Sequence, residues 1–494
     1  MSSISGLAQL VNESMVDQYL STMETEKLFE TYQKSNKLGK TSTRIDFETA
    51  PALQSGNSEL VFISNNLKDG SEDLLSKVYF CCELPEIYSD RSTRFKWIKN
   101  IGIYLIKEVE FTFSQNSIQK FTADWLNIWN ELTCTDDKSY QNILGNSEEN
   151  NNPTEFRNKK IVIRNNKFEY AYYPESSQDT DKPSIKKTKL CINIPFWFST
   201  ELGNALPMIF FQTVPIQIRI KLEDPELLYT IYSEKLDQDI SPLLYNELEG
   251  TSLNINSFLK NDIKDINNIN IRGYIQKTGY VLGEYELSEL GQKGFIDYIM
   301  NDIMVIEKDL DLGSTDDPVE QSIEMDIINK PIKELVWIIR RDDIITNFNN
   351  HINYTASYNT NSKYDILNYA TYRIENSIDI FNELETNYLT VIQPKIHHTN
   401  LPRIGNIYLY SFAKNPESKD STGHFNPSNV NNKLKIKVNT FSETDEQFNI
   451  NIKLRKITQW QNQEKEINNY KIKIFANCYN FVTISANQAN KKLN

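Results

Sequence analysis

The tightest constraint on this chain is the strict alternation over residues 216–222, where Ile216, Ile218, Ile220 and Leu222 are interleaved with Gln217, Arg219 and Lys221. Successive side chains of an extended strand point to opposite sides, so the segment has one apolar face and one wetted face. The same period sets Val109, Phe111 and Phe113 against Glu108, Glu110 and Thr112, and Leu434, Ile436 and Val438 against Lys435, Lys437 and Asn439. It returns at Phe448, Ile450, Ile452 and Leu454. One such strand buries about four large side chains, worth roughly 1.5–3 kcal/mol each before the entropy of ordering is subtracted, so strands of this kind must pair. Because each keeps a polar face, two antiparallel sheets packed face to face suit the pattern better than a parallel sheet covered by helices. An all-β sandwich architecture is expected.

With 494 residues the chain exceeds what one core usually organises, which predicts two domains or two similar β-rich units. The acidic stretch from Glu223 to Asp265, with Pro225 and Pro242, is the expected boundary. Residues 124–133 depart from the alternation: Trp125, Ile128, Trp129 and Leu132 recur at helical spacing and predict a short amphipathic helix plugging a sandwich end. Polar runs over 146–153, 176–183 and 415–432 read as loop insertions.

The net charge of −13 and pI near 5.1 disfavour direct nucleic-acid binding, which needs clustered Lys and Arg to release counterions. The basic run Lys186-Lys187-Thr188-Lys189 reads as a solvated loop end. Cys81, Cys82, Cys134, Cys191 and Cys478 form no CxxC pair, so free thiols in a reducing compartment are expected. The beginning of the chain lacks a basic-then-apolar leader, and no apolar run reaches the roughly 18 residues a membrane helix needs.

Motifs that could carry chemistry fall short one by one. Gly39-Lys40-Thr41 resembles the end of a phosphate loop, but the glycine required five positions earlier is Lys34. Asp309, Asp311 and Glu320 echo a calcium loop, but its turn glycine is Ser314; an acidic surface loop is the plain reading. His351, His397, His398 and His424 are too scattered for a ligand set and read as loop hydrogen-bonding groups. Glu108 and Glu110 share a strand face, the arrangement of ordinary charged residues on a wet surface. The sequons at Asn12 and Asn353 are possible glycosylation sites. No catalytic residue, cofactor or metal ligand is assigned.

Several separated segments resemble major capsid proteins of the nucleocytoplasmic large DNA viruses. They run in family order: Gly6-Leu7-Ala8-Gln9-Leu10-Val11 with Asp17-Gln18-Tyr19-Leu20; the strand at Val109 leading into Asp124-Trp125-Leu126-Asn127-Ile128-Trp129; Ile194-Pro195-Phe196-Trp197-Phe198 through Gly203-Asn204-Ala205-Leu206-Pro207. In the second half follow Gly279-Tyr280-Val281-Leu282-Gly283, residues 331–339, Gln393-Pro394, His397-His398-Thr399-Asn400, Ile407-Tyr408-Leu409-Tyr410-Ser411-Phe412 and, last, Ile474-Phe475-Ala476-Asn477-Cys478. The chain departs from the family at Gln115-Asn116, where a glycine pair is usual, and at 423–428, where a cysteine-containing loop is usual.

The resemblance implies two tandem eight-stranded antiparallel jelly rolls with short helices in their loops. It divides the chain into an arm (1–44), a first roll (45–222), a linker (223–267) and a second roll (268–494). It further implies a structural, non-catalytic subunit that trimerises into a pseudo-hexagonal capsomer of an icosahedral virion assembled in the host cytoplasm. Expected partners are other capsomers, penton and minor capsid proteins, and the surface of an inner membrane. Trp125, Trp129, Phe196, Trp197, Tyr408 and Tyr410 are the expected structural anchors, and Gly6, Leu10 and Tyr19 mark the expected assembly arm. A capsid-like scaffold of the same fold and a carbohydrate-active β-sandwich are the alternative readings.

Overall fold

The computed structural model describes residues 39–46, 52–53, 58–63, 74–90, 92–113, 116–134, 138–151, 183–200, 202–211, 216–259, 269–270, 272–281, 294–311, 319–325, 330–355, 365–374, 379–418, 422–426, 432–438, 469–485 and 488–491. The assembly arm and Asn12 therefore lie outside the described residues, as do the alternation at 448–454 and the loop at 176–182.

The long strands of the first half are β1 (Gly39–Asp46), β2 (Ser58–Ile63), β3 (Leu74–Leu84), β4 (Ile106–Phe113), β5 (Asn116–Thr122), β6 (Thr188–Ile194), β7 (Ile216–Leu222) and β8 (Arg272–Val281). Those of the second half are β9 (Phe295–Asp311), β10 (Val319–Met325), β11 (Ile332–Arg341), β12 (Leu367–Ile374), β13 (Asp379–Glu385), β14 (Tyr408–Ser411), β15 (Asn432–Val438) and β16 (Asn469–Ser485). In the first half the strands hydrogen-bond in the orders β1-β8-β3-β6 and β2-β7-β4-β5; in the second, β9-β16-β11-β14 and β10-β15-β12-β13. The two halves thus repeat one topology, first strand beside eighth and second beside seventh, which is the antiparallel jelly roll. The fold expected from the sequence is present twice.

Alternation sets the burial as expected in β7, where Ile216, Ile218, Ile220 and Leu222 are buried and the three polar residues between them are half-buried. Strand β15 forms where Leu434, Ile436 and Val438 were expected to alternate. The alternation fails in β11: all ten of its residues are buried. Leu335, Trp337 and Ile339 belong to the second roll's core, while Val336 and Ile338 pack with the core of the first. This strand is covered on both faces because the first roll lies against the outside of the second roll's sheet.

The expected division of the chain differs from the structure in three places. Residues 39–44, assigned to the arm, belong to β1, paired in register with β8. Residues 272–281, assigned to the second roll, form the eighth strand of the first, between β1 and β3, with Ile275 buried in that roll's core. Residues 223–259, expected as linker, are folded: Tyr229–Ser233 pairs with Phe95–Trp97 and with Gln238–Ile240, and Pro242–Glu249 is a helix capped by the Ser241 hydroxyl. Their Tyr229, Ile231, Ile240 and Phe258 lie in the first core. Local composition is acidic there, but the apolar residues between the charges find partners distant in sequence. The polar run at 146–153 is likewise no free loop: Glu148–Asn151 forms a helical turn, and Asn150 is fully buried.

Cys81 and Cys191 stand opposite each other in the β3–β6 register and are joined by a disulfide, whereas Cys82, Cys134 and Cys478 are free. The expectation of five free thiols is corrected: the partners are 110 residues apart, and only strand pairing brings them together.

Candidate functional site

The feature that makes one body of the two rolls is a helix, α1 (Ala123–Thr133), inserted between β5 and β6. Its sequence spacing predicts one wet face. Instead almost its whole surface is buried, including Asp124, Asn127, Asn130 and Glu131. The reason is polar pairing across the junction with the second roll, since buried charges are tolerable only when matched.

Asp124 accepts hydrogen bonds from Arg340 Nη2 at 2.8 Å and Lys473 Nζ at 3.0 Å, on β11 and β16. Burial by itself would raise the Asp124 pKa, but these two cations outweigh it and hold the carboxyl well below the usual carboxylate range. The Arg340 guanidinium also lies 5.0 Å from the Tyr354 ring centroid. Tyr354 Oη is 3.4 Å from Tyr104 Oη and accepts from Asn127 Nδ2 at 3.5 Å. His351 stacks on Tyr104 at 4.7 Å, with Nε2 3.0 Å from the Leu227 carbonyl. Burial, reinforced by the Arg340 charge, lowers the His351 pKa to about 4. At the other end of α1, Glu131 accepts from Arg403 Nη2 at 2.7 Å and from the Arg403 amide at 3.0 Å. The Asn400 amide donates to the Leu132 carbonyl at 2.9 Å.

A second polar cluster sits in the second roll. His398 is bracketed by Glu334, 2.9 Å from Nε2, and Glu417, 3.1 Å from Nδ1. Burial disfavours its charged form, but the Glu334 carboxylate and the hydrogen bonds His398 donates to both acids overcome that and raise its pKa to about 9. Asn477 Nδ2 donates to Glu334 at 2.7 Å. Nearby Lys333 lies 4.7 Å from the Tyr479 ring centroid, and burial lowers its pKa to about 8. The sequence marked His398 only as a loop hydrogen-bonder; the two acids that make it a buried cation lie 64 and 19 residues away.

The anchors fall into three groups. Trp125 and Trp129 stack at 5.7 Å on α1, Trp125 also meeting Phe475 of β16 at 5.5 Å. Phe196 and Trp197 pack around Phe111, at 5.5 and 5.1 Å, in the first core. Tyr408 stacks on Trp337 at 5.9 Å and Tyr410 meets Phe381 at 4.4 Å in the second. Trp129 and Tyr410 are only partly buried.

The remaining motifs are absorbed by the fold. Gly39-Lys40-Thr41 is strand, not loop. Asp309 and Asp311 end β9 and Glu320 lies in β10, while residues 312–318 of the expected acidic loop lie outside the described residues. Glu108 is paired with Lys120 at 2.6 Å and Lys221 at 3.2 Å. Asn353 is 1% exposed, and its Oδ1 accepts from the Thr355 amide and hydroxyl, so the sequon expected as a glycan site is inaccessible in the folded chain. A crevice of about 380 Å³ between the rolls is lined by Asn100, Glu131, Asn146, Tyr354 and Arg403 among others. Its amides bond to one another, as Asn146 Nδ2 does to Asn100 Oδ1 and, at 2.9 Å, to Gln141 Oε1. Among the described residues no cluster of His, Cys, Asp and Glu is arranged to hold a metal, and no helix is long and apolar enough to cross a membrane.

The comparisons agree with this geometry. A family model described as major capsid protein N-terminus matches residues 31–253, and one described as large eukaryotic DNA virus major capsid protein matches residues 298–490. The chain is 22% identical to probable capsid protein 4 of Acanthamoeba polyphaga mimivirus, over 86% of this chain and 91% of that one. It is 23% identical to the major capsid protein of Pyramimonas orientalis virus, over 86% and 90%. Among solved structures, the PBCV-1 capsid protein superposes with a TM-score of 0.64 at 15% identity, covering 94% of this chain and 98% of that one. The Faustovirus major capsid protein does so with a TM-score of 0.59 at 10% identity, covering 92% of each. The duplicated jelly roll and the two family matches together place this chain among the major capsid proteins of large eukaryotic DNA viruses, as a structural protein of the virus shell.

Proposed function

We propose that three copies of this chain associate into a pseudo-hexagonal capsomer, six jelly rolls in a ring, and that this block tiles the faces of an icosahedral capsid without catalysing any reaction. The observation that carries the reading is the repeat of one strand order in two rolls locked by α1, because two like units in fixed relation give a threefold assembly six similar corners. The acidic net charge supports contact with protein neighbours over direct contact with the genome. Neighbouring capsomers, penton and minor capsid proteins, and an inner membrane's surface are the partners this role requires. Assembly takes place in the host cytoplasm, and residues 6–19 supply the tie between capsomers. The two rolls divide the chain near residues 282–293, after β8 and before β9.

The test is the mass of the purified full chain by light scattering together with negative-stain images. A trimer with six-cornered outlines is expected, and a stable monomer would refute the reading. Removing residues 1–20 should leave the trimer intact while reducing shell assembly.

A further inference from the structure

The two rolls are equivalent in topology, yet among the described residues only one of their two equivalent crossovers is covered. Between its fifth and sixth strands the first roll inserts α1, which is buried on the outer face of the second roll's β9-β16-β11-β14 sheet. Between its own fifth and sixth strands the second roll inserts the helical segment Tyr388–Ile392 and Gln393–His397. Leu389, Gln393 and Pro394 of this segment are buried, whereas Tyr388, Val391, Ile392 and Ile396 are exposed, Ile396 by 63%. Leu401, just beyond, is exposed as well. The segment is held in place, since Asn400 and Arg403 bond to α1. Five neighbouring apolar side chains on a pinned backbone form a contact surface that the described residues leave open.

The counterpart of the face that α1 covers is the outer face of the first roll's β1-β8-β3-β6 sheet. Ile275 of β8 points into the first core, so by alternation Tyr274 and Gln276 point outward. Gln276 is directly opposite Arg44 on β1 and Tyr79 on β3, and the Arg44 guanidinium lies 4.0 Å from the Tyr274 ring centroid. Tyr79, Tyr274 and Gln276 are half-buried and Lys77 is exposed, so the face is aromatic in part and left open by the described residues.

We propose that the exposed face of segment 388–397 docks on the outer face of β8 and β3 in a second copy of this chain, repeating between subunits the contact that α1 makes within one. The contact is head-to-tail: the second roll of each copy meets the first roll of the next. The inference rests on the trimer reading, since it is closure of alternating rolls into a ring that uses every such surface once.

The experiment compares full-length wild type, the double variant Val391→Asp with Ile396→Asp, and Gln276→Arg on the opposing face, by light scattering over a dilution series with a parallel thermal melt. All substituted positions are exposed or half-exposed, and circular dichroism checks that each variant is folded. Both variants should weaken subunit association at least tenfold while the separated chain keeps the wild-type spectrum. A double-cysteine chain, Ile396→Cys with Gln276→Cys, should give covalent trimers on oxidation, and Ile396→Cys alone should not cross-link to itself. A wild-type trimer whose two variants dissociate no more readily than it does would overturn the inference and leave the trimer reading standing. So would self-cross-linking of Ile396→Cys, the mark of a twofold contact. A wild-type chain that is monomeric defeats the trimer reading, and the inference falls with it.

Discussion

The Asp124 carboxylate, two residues into the helix that leaves the first roll, lies 2.8 Å from the Arg340 guanidinium on a central strand of the second, with both side chains almost wholly buried. The pair spans 216 residues of sequence, and Lys473 completes it from the last long strand. Two domains that could have been joined by a flexible tether are instead welded through a buried charge cluster, which suits a subunit that must be a block of fixed shape.

Asp124→Ala leaves Arg340 and Lys473 buried with no counter-ion, and should cost about 3–5 kcal/mol. Urea denaturation followed by tryptophan fluorescence measures it. A double change to apolar residues, Asp124→Leu with Arg340→Met, should be milder than the single one. If Asp124→Ala unfolds at the wild-type midpoint, the cluster does not hold the junction.

Phe196→Ala removes a fully buried ring packed on Phe111 and Phe198, at a cost of about 3–5 kcal/mol. Trp125→Ala, which opens the contact to Phe475, should fall in the same range, again about 3–5 kcal/mol. Trp129→Ala should cost less because part of that ring is exposed, but a melting temperature equal to wild type would deny it any anchoring role.

The two histidines together contribute most to stability near pH 6.5, the ordinary histidine value, because they are shifted in opposite directions. His398 has a folded pKa of about 9, so its contribution is complete below pH 6.5 and is lost as pH rises through 9. His351 has a folded pKa of about 4 and is buried neutral; the unfolded chain takes up its proton first, so stability falls as pH drops from 6.5 toward 4. His398→Gln should flatten the alkaline limb and His351→Gln the acid limb of the curve of Tm against pH. A curve unaltered by either change contradicts the assignment.

Thiol counting tests the Cys81–Cys191 pairing. In denaturant without reductant an alkylating agent should modify Cys82, Cys134 and Cys478, and after reduction all five cysteines. In the folded chain only Cys134 should react readily, because Cys82 and Cys478 are buried. Mass spectrometry of the labelled protein reads each state, and five labels without reductant would show that the pair is not bonded.

Alternation at Ile216–Leu222 was enough to place a half-buried strand, because side-chain direction in a strand is a local property of the backbone. Helical spacing from Trp125 to Leu132 was enough to place α1 for the same reason. What local pattern could not supply was where a wet face would go. Asp124 and Glu131 lie off the apolar stripe formed by Trp125, Ile128, Trp129 and Leu132, yet each finds a cation more than 200 residues away and is buried. Strand β11 carries the unbroken apolar run Leu335–Ile339 in place of alternation, and it is covered twice because a whole roll packs on its outer side.

Sequence by itself therefore determined that the chain is built of paired antiparallel strands and, through the resemblance, that the sandwich occurs twice. Only the tertiary structure decided that β8 closes the first roll, that Cys81 meets Cys191, that Asn353 is shut away, and that the two rolls share a charged core. Secondary structure follows from the spacing of neighbours along the chain, whereas pairing across 100 or 200 residues follows from which surfaces remain unburied once each sandwich has formed.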